Sequence, residues 1–316
     1  MISPFKTAAT LVALAFLAGC GQASPPATAL PPVAGEEPLA ATAVLPQTTP
    51  EPTAPAGIAL QITYTCNDGY IISAGETKIL IDALYRETYI GCKSDEAELS
   101  AMTSAQPPFD GADLVLITHT HADHFDAQIV GAYLQNNPRA VLVTSDLVVD
   151  QLRKQFEAFD QVQKRVRSVP IPDEAPVQMT VQDIDLELVS APADVPNLGF
   201  VIRIGGLTLF HTGDSDFTPG ITTRFQSYRL PDKQIDLAFV PWWYLGQESI
   251  HHLVEDGIRA KNYVPMHFVT RELPGVSKAV LAYYPHAIVF RTEMQTWVFG
   301  DPAPADAPPV ATAVPR

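Results

Sequence analysis

The segment Leu116-Ile117-Thr118-His119-Thr120-His121-Ala122-Asp123-His124 places three imidazoles and a carboxylate in a short stretch directly behind an apolar run. Imidazole nitrogen and carboxylate oxygen, without thiolate, suit zinc, manganese or iron in an open catalytic site better than a closed structural zinc. Alternate side chains of an extended segment share a face. His119 and His121 can therefore meet one ion, while the turn through Asp123 and His124 presents ligands to a second. The run Ala112 to Ile117, with Gly111 before it and polar residues after it, reads as a short buried strand. The cluster then sits on the loop leaving that strand's carboxyl end, where a rigid scaffold can hold chemistry in place.

With this His-x-His-x-Asp-His loop the chain resembles the metallo-β-lactamase-fold hydrolases, and further motifs follow in that family's order. Leu207-Thr-Leu-Phe-His-Thr-Gly213-Asp214 resembles the strand whose aspartate bridges two metals, here Asp214. Tyr263-Val-Pro-Met-His267 resembles the strand ending in the last ligand, here His267. Lys78-Ile-Leu-Ile-Asp82 resembles the early strand whose aspartate supports the metal loop from behind. One departure concerns an additional histidine that the family usually supplies before the Gly-Asp strand, because residues 125–210 contain none. In the corresponding segment Asp194 is the metal-capable side chain, and a carboxylate can replace imidazole on zinc while favouring manganese or iron. Asp194 is thus expected either as a substitute ligand or as a turn-capping aspartate.

The resemblance implies two divalent ions, zinc first with manganese or iron as alternatives. His119, His121, Asp214 and Asp194 would hold one ion, and Asp123, His124, Asp214 and His267 the other. Asp123 and Asp214 are the catalytic candidates. A water bridging the two metals, its pKa lowered toward neutrality, would attack an acyl carbon or phosphorus as hydroxide. The expected activity is cleavage of an ester, lactone or phosphodiester bond in a small or lipid-like substrate. A non-catalytic, surface-tethered binding module with a degenerate metal site is the alternative, and a di-iron redox role a more remote one. Pro241-Trp242-Trp243-Tyr244 follows a strand, so Trp242, Trp243 and Tyr244 are candidates to wall the pocket mouth. His251 and His252 are candidates to contact substrate, and His211 reads as a core histidine.

The positioning elements follow from periodicity. Strand-like runs lie at 58–64, 69–72, 78–81, 114–117, 140–143, 184–188, 199–204, 207–211, 237–240, 263–266, 287–290 and 295–298, and helical spacing at 126–135, 145–156, 249–260 and 276–283. This alternation predicts an α/β protein built as a four-layer αββα sandwich over residues 58–300, with ligands meeting at strand ends.

The amino terminus carries Lys6, an apolar segment from Ala8 to Ala18, and then Cys20. The apolar segment is too short for a bilayer-spanning helix and reads as a signal peptide over 1–19. Leu17-Ala18-Gly19-Cys20 resembles the bacterial lipoprotein processing box, which implies lipidation of Cys20 and an exported, envelope-located protein anchored to a membrane by its acyl chains. Residues 20–57 are rich in Pro, Ala and Thr and read as a tether, and 301–316 as a similar disordered tail. An oxidising compartment permits a bridge between Cys66 and Cys92. The net charge of −15 over 316 residues leaves no basic surface for tracking phosphates and argues against a nucleic-acid partner. Oligomeric state is left open.

Overall fold

A computed structural model describes residues 59–87, 93–268 and 271–299. The signal peptide, Cys20, the tether, the tail and Cys92 lie outside the described residues. Leu60–Cys66 (β1), Gly69–Ala74 (β2), Thr77–Ile81 (β3), Leu114–Ile117 (β4), Val141–Ser145 (β5) and Val166–Val169 (β6) build one sheet in sequence order. Val177–Val181 (β7), Ile184–Ser190 (β8), Leu198–Ile204 (β9), Leu207–His211 (β10), Leu237–Pro241 (β11) and Asn262–Met266 (β12) build the second. Thr296–Val298 (β13) returns to the first sheet and pairs antiparallel with β1.

Burial explains the layering. β4 is apolar at every position because both of its faces are covered. Leu114 and Leu116 point into the core between the sheets, with Ile62, Ile79, Leu188, Ile202, Leu209, Phe239 and Val264. Val115 and Ile117 point outward, against Ile129, Val130, Tyr133 and Leu134 of the helix Ala127–Asn136. On the far side Phe210 and Ala238 pack beneath Phe225 of the helix Ile221–Ser227 and Val280 of Leu273–Tyr283. The result is helix, sheet, sheet, helix. Each fully buried aliphatic or aromatic side chain in these layers stabilises the fold by about 1.5–3 kcal/mol before the entropy of ordering it is counted.

Strand direction decides where the loops gather. β1, β3, β4 and β5 run one way, with β2 antiparallel between β1 and β3. The carboxyl ends of β1, β3 and β4 therefore share one edge, together with the β1–β2 turn. In the other sheet β10, β11 and β12 are parallel to one another, and β8 runs with them because β9 is antiparallel to both β8 and β10. Their carboxyl ends make the opposing edge.

Two expected elements differ. Residues 249–260 form a 3-10 turn, Glu248–Ile250, and a π-helical stretch, Leu253–Ile258, closed by Arg259 at φ 57°. Leu253, Val254, Gly257 and Ile258 are buried at the anticipated spacing; that spacing does not distinguish a four-residue from a five-residue hydrogen-bond register. Residues 287–290 are buried but form no ladder, with Ile288 N–H donating to the Tyr263 carbonyl at 2.9 Å.

Candidate metal centre

The site is assembled from the two loop edges. β4 ends at Ile117, and the next seven residues turn back on themselves, with His124 and Phe125 N–H both donating to the His121 carbonyl at 3.1 and 3.0 Å. Asp82, just past β3, holds this turn. Its Oδ1 accepts from Thr118 N–H at 2.9 Å, and its Oδ2 from Thr118 Oγ1 at 2.7 Å and from His124 Nδ1 at 2.8 Å. These bonds fix two ring orientations. His124 donates through Nδ1 and turns Nε2 into the site. Thr118 Oγ1, whose proton goes to Asp82, accepts from His119 Nδ1 at 2.9 Å and leaves His119 Nε2 facing inward.

From the opposite edge Asp214 projects between these rings. Its Oδ2 lies 3.6 Å from His119 Nε2, and its Oδ1 lies 3.3 Å from His124 Nε2 and 3.1 Å from His267 Nε2. One carboxylate thus faces two ligand groups through different oxygens. The clusters are His119, His121 and Asp214; Asp68, His124 and Asp214; and Asp123, Asp214 and His267, each with donor atoms mutually within 4.8 Å. Gly213 adopts φ 59° just before Asp214, and a Cβ there would stand 2.3 Å from Asn197 Oδ1. Only glycine fits this turn.

The electrostatics follow the geometry. Burial, and then the neighbouring His124 charge, lower the His119 pKa to about 3. Burial works against a charged His124, yet the Asp214 and Asp82 carboxylates raise its pKa well above the ordinary value. Burial likewise opposes ionisation of Asp214, but the His124 charge and its contacts with His124 and His267 hold it far below the carboxylate range. Asp68 is raised by burial and then by the Asp214 charge, and Asp123 is raised mainly by burial.

Buried polar atoms nearly always have a hydrogen-bond partner. His119 Nε2, both carboxylate oxygens of Asp68 and Asp123 Oδ1 have none among the described residues, although all lie in one small volume. Buried carboxylates facing imidazole lone pairs fit a dication, and the set of nitrogen and oxygen donors fits zinc, manganese or iron.

The anticipated residues divide. His119, His121, Asp123, His124, Asp214 and His267 are brought together. Asp194 follows β8 with 69% of its side chain exposed, and its Oδ2 lies 3.9 Å from His121 Nε2, at the cavity wall and outside the three clusters. Of the aromatic trio, Trp243 lines the cavity, with its ring 5.0 Å from that of His267. Trp242 packs edge-on against Trp243, and Tyr244 is fully buried, bonding Ser215 Oγ at 2.9 Å. His251 bonds the Leu245 carbonyl and stacks edge-on to Tyr283 and Tyr284, while His252 meets Phe217. None of these four lines the metal cavity. Cys66 is disulfide-bonded.

Two neighbours were not anticipated. Asn67 donates from Nδ2 to Asp123 Oδ2 at 3.0 Å, and Asp68 faces His124. Both occupy the two-residue β1–β2 turn; the hairpin is readable from the two adjacent strand-like runs, but its meeting with the edge where β3 and β4 end is not.

The model for the beta-lactamase superfamily domain matches residues 77–268. A UPF0173 metal-dependent hydrolase of Aeropyrum pernix is 28% identical over 167 residues, which is 50% of this chain and 62% of that relative's length. Another, from Heliobacterium modesticaldum, is 23% identical over 230 residues, 71% of this chain and 88% of the relative. Among solved structures, the metallo-beta-lactamase fold protein YhfI from Bacillus subtilis aligns over 77% of this chain and 100% of its own, with TM-score 0.52 and 15% identity. A possible metal-dependent hydrolase from Veillonella parvula gives 0.51 at 14% identity, over 76% of this chain and 99% of that chain. Identities this low speak for a shared fold. The family match over residues 77–268 spans every residue of the three clusters except Asp68, so that this chain belongs to the beta-lactamase superfamily domain family and has its two-sheet fold.

Proposed function

We propose that the chain is a metal-dependent hydrolase that cleaves an ester, lactone or phosphodiester bond in a small or lipid-like substrate. The observation that carries this reading is the convergence around Asp214 of buried His119 and Asp123 atoms that have no hydrogen-bond partner among the described residues, beside an open cavity of about 390 Å³. His119, His121 and Asp214 would hold one ion, and His124, Asp123, His267 and Asp214 the other. Bound dications supply Lewis acidity and lower the pKa of water.

The chain's own groups do the rest. Asp123 lines the cavity with Oδ2 fixed by Asn67 and Oδ1 without a partner among the described residues, so it can orient a water and accept its proton. Trp243 offers an apolar wall. Asp194 and Asp216 stand at the cavity lining, and no Lys or Arg does among the described residues. Those carboxylates favour a neutral ester or lactone over an anionic phosphodiester, which would have to approach two like charges. Anchoring through Cys20 belongs to the same proposal, and the disulfide at Cys66 supports an oxidising, exported location.

The test is hydrolysis of carboxylic esters, lactones and phosphodiesters by the metal-reloaded protein, beside its Asp123→Asn variant. Turnover of an ester or lactone that falls at least about 100-fold in the variant supports the reading. A metal-loaded protein that turns over none of the three would favour the binding module.

A further inference from the structure

The β1–β2 turn reaches into the centre of the site, and its Asp68 has no counterpart among the residues that the sequence motifs assign. The side chain is fully buried beside the Asp214 carboxylate, and neither of its oxygens meets an N–H or hydroxyl donor among the described residues. Its Oδ2 lies 3.6 Å from His124 Nε2, and Asp68, His124 and Asp214 place donor atoms within 4.8 Å of one another.

The turn is not loosely placed. His211 Nδ1 accepts from Gly213 N–H at 3.1 Å, so its Nε2 carries the proton and donates to the Asp68 carbonyl at 2.9 Å. One neutral, fully buried imidazole therefore ties the Asp68 backbone to the turn that carries Asp214. Gly69 locks the other side, because a Cβ there would meet Thr65 Oγ1 at 2.2 Å and the Asp82 carbonyl at 2.9 Å. A buried carboxylate facing a second carboxylate across a histidine is costly without a cation between them.

We propose that Asp68 is itself a metal ligand, completing with His124, Asp123, His267 and Asp214 a carboxylate-rich position. This position would be harder than the one formed by His119 and His121, and would accept manganese or iron as well as zinc. The inference rests on the two-metal reading above, but that reading also stands on the His119, His121, Asp214 cluster and the Asp123, Asp214, His267 cluster, neither of which contains Asp68.

The test is titration of the metal-free full chain with cobalt(II), followed by calorimetry and by the visible spectrum, for the wild type and for Asp68→Asn. The wild type is expected to take two equivalents. The variant should keep one and bind the second more than about 100-fold more weakly, beyond the about 10- to 100-fold that follows loss of a group merely supporting a ligand. A smaller change overturns the assignment of Asp68 while leaving the two-metal reading intact; a wild type that binds no cobalt overturns both. Asp68→Glu guards against misfolding of the first variant. It should retain two equivalents with an altered visible spectrum, and an unaltered spectrum would overturn the assignment.

Discussion

Both carboxylate oxygens of Asp82 are engaged with the loop that carries the ligands, through Thr118 and His124. Asp82→Asn keeps the shape but cannot accept all three bonds, and it frees the His124 ring to turn. Metal affinity should fall about 10- to 100-fold with the fold retained, measured by competition with a chelating dye; unchanged affinity would show that the loop holds its own shape. His211 leads to a pH prediction. Burial lowers its pKa below the ordinary 6.5, so the native state keeps it neutral while the unfolded chain binds a proton below that pH. Stability must then decline as pH falls through about 6.5. In His211→Gln the decline should be shallower by about one proton, measured as denaturation midpoint against pH on metal-free protein, and an equal slope would contradict this.

At the scale of elements, the β1–β2 turn and the end of β3 press on one another at Gly69. Gly69→Ala would force its Cβ against Thr65 and the Asp82 carbonyl, and over-packing of this kind costs about 1–3 kcal/mol. Urea denaturation should show that loss, and a neutral result would mean that the turn can shift. Most strands were legible because fully buried segments such as β4 and β11 are apolar at every position. β6 and β7 were not. Val166-Arg-Ser-Val169 and Val177-Gln-Met-Thr-Val181 are edge strands with polar outward positions, and they carry too few apolar residues to stand out. The ligand loop was legible from its local spacing. Asp68 was not, because its role depends on a hairpin turn meeting a strand end 50 residues away in sequence, and no local pattern records that meeting. Tyr244 and His251 misled for a related reason: aromatic and imidazole side chains serve a core or an inter-helix contact as readily as a pocket.

Across the whole molecule, ligands from two sheets converge on one place, so a bound ion ties the sheets together. A ligand that binds only the folded state stabilises it by about 2.7 kcal/mol at 100 times its Kd. Chelation should therefore lower the unfolding temperature without changing the far-ultraviolet spectrum of the native protein, and readdition of metal should restore it; an indifferent melting curve would contradict a site that spans the sheets. Asp214 belongs to all three ligand clusters, which makes it the residue on which the account depends most. Elemental analysis of the purified protein beside Asp214→Ala is the most direct test. Two metal ions per chain, falling below one in the variant while the fold persists, is the predicted result. A wild type without metal after reloading, or a variant that retains both ions, would contradict the shared two-metal centre.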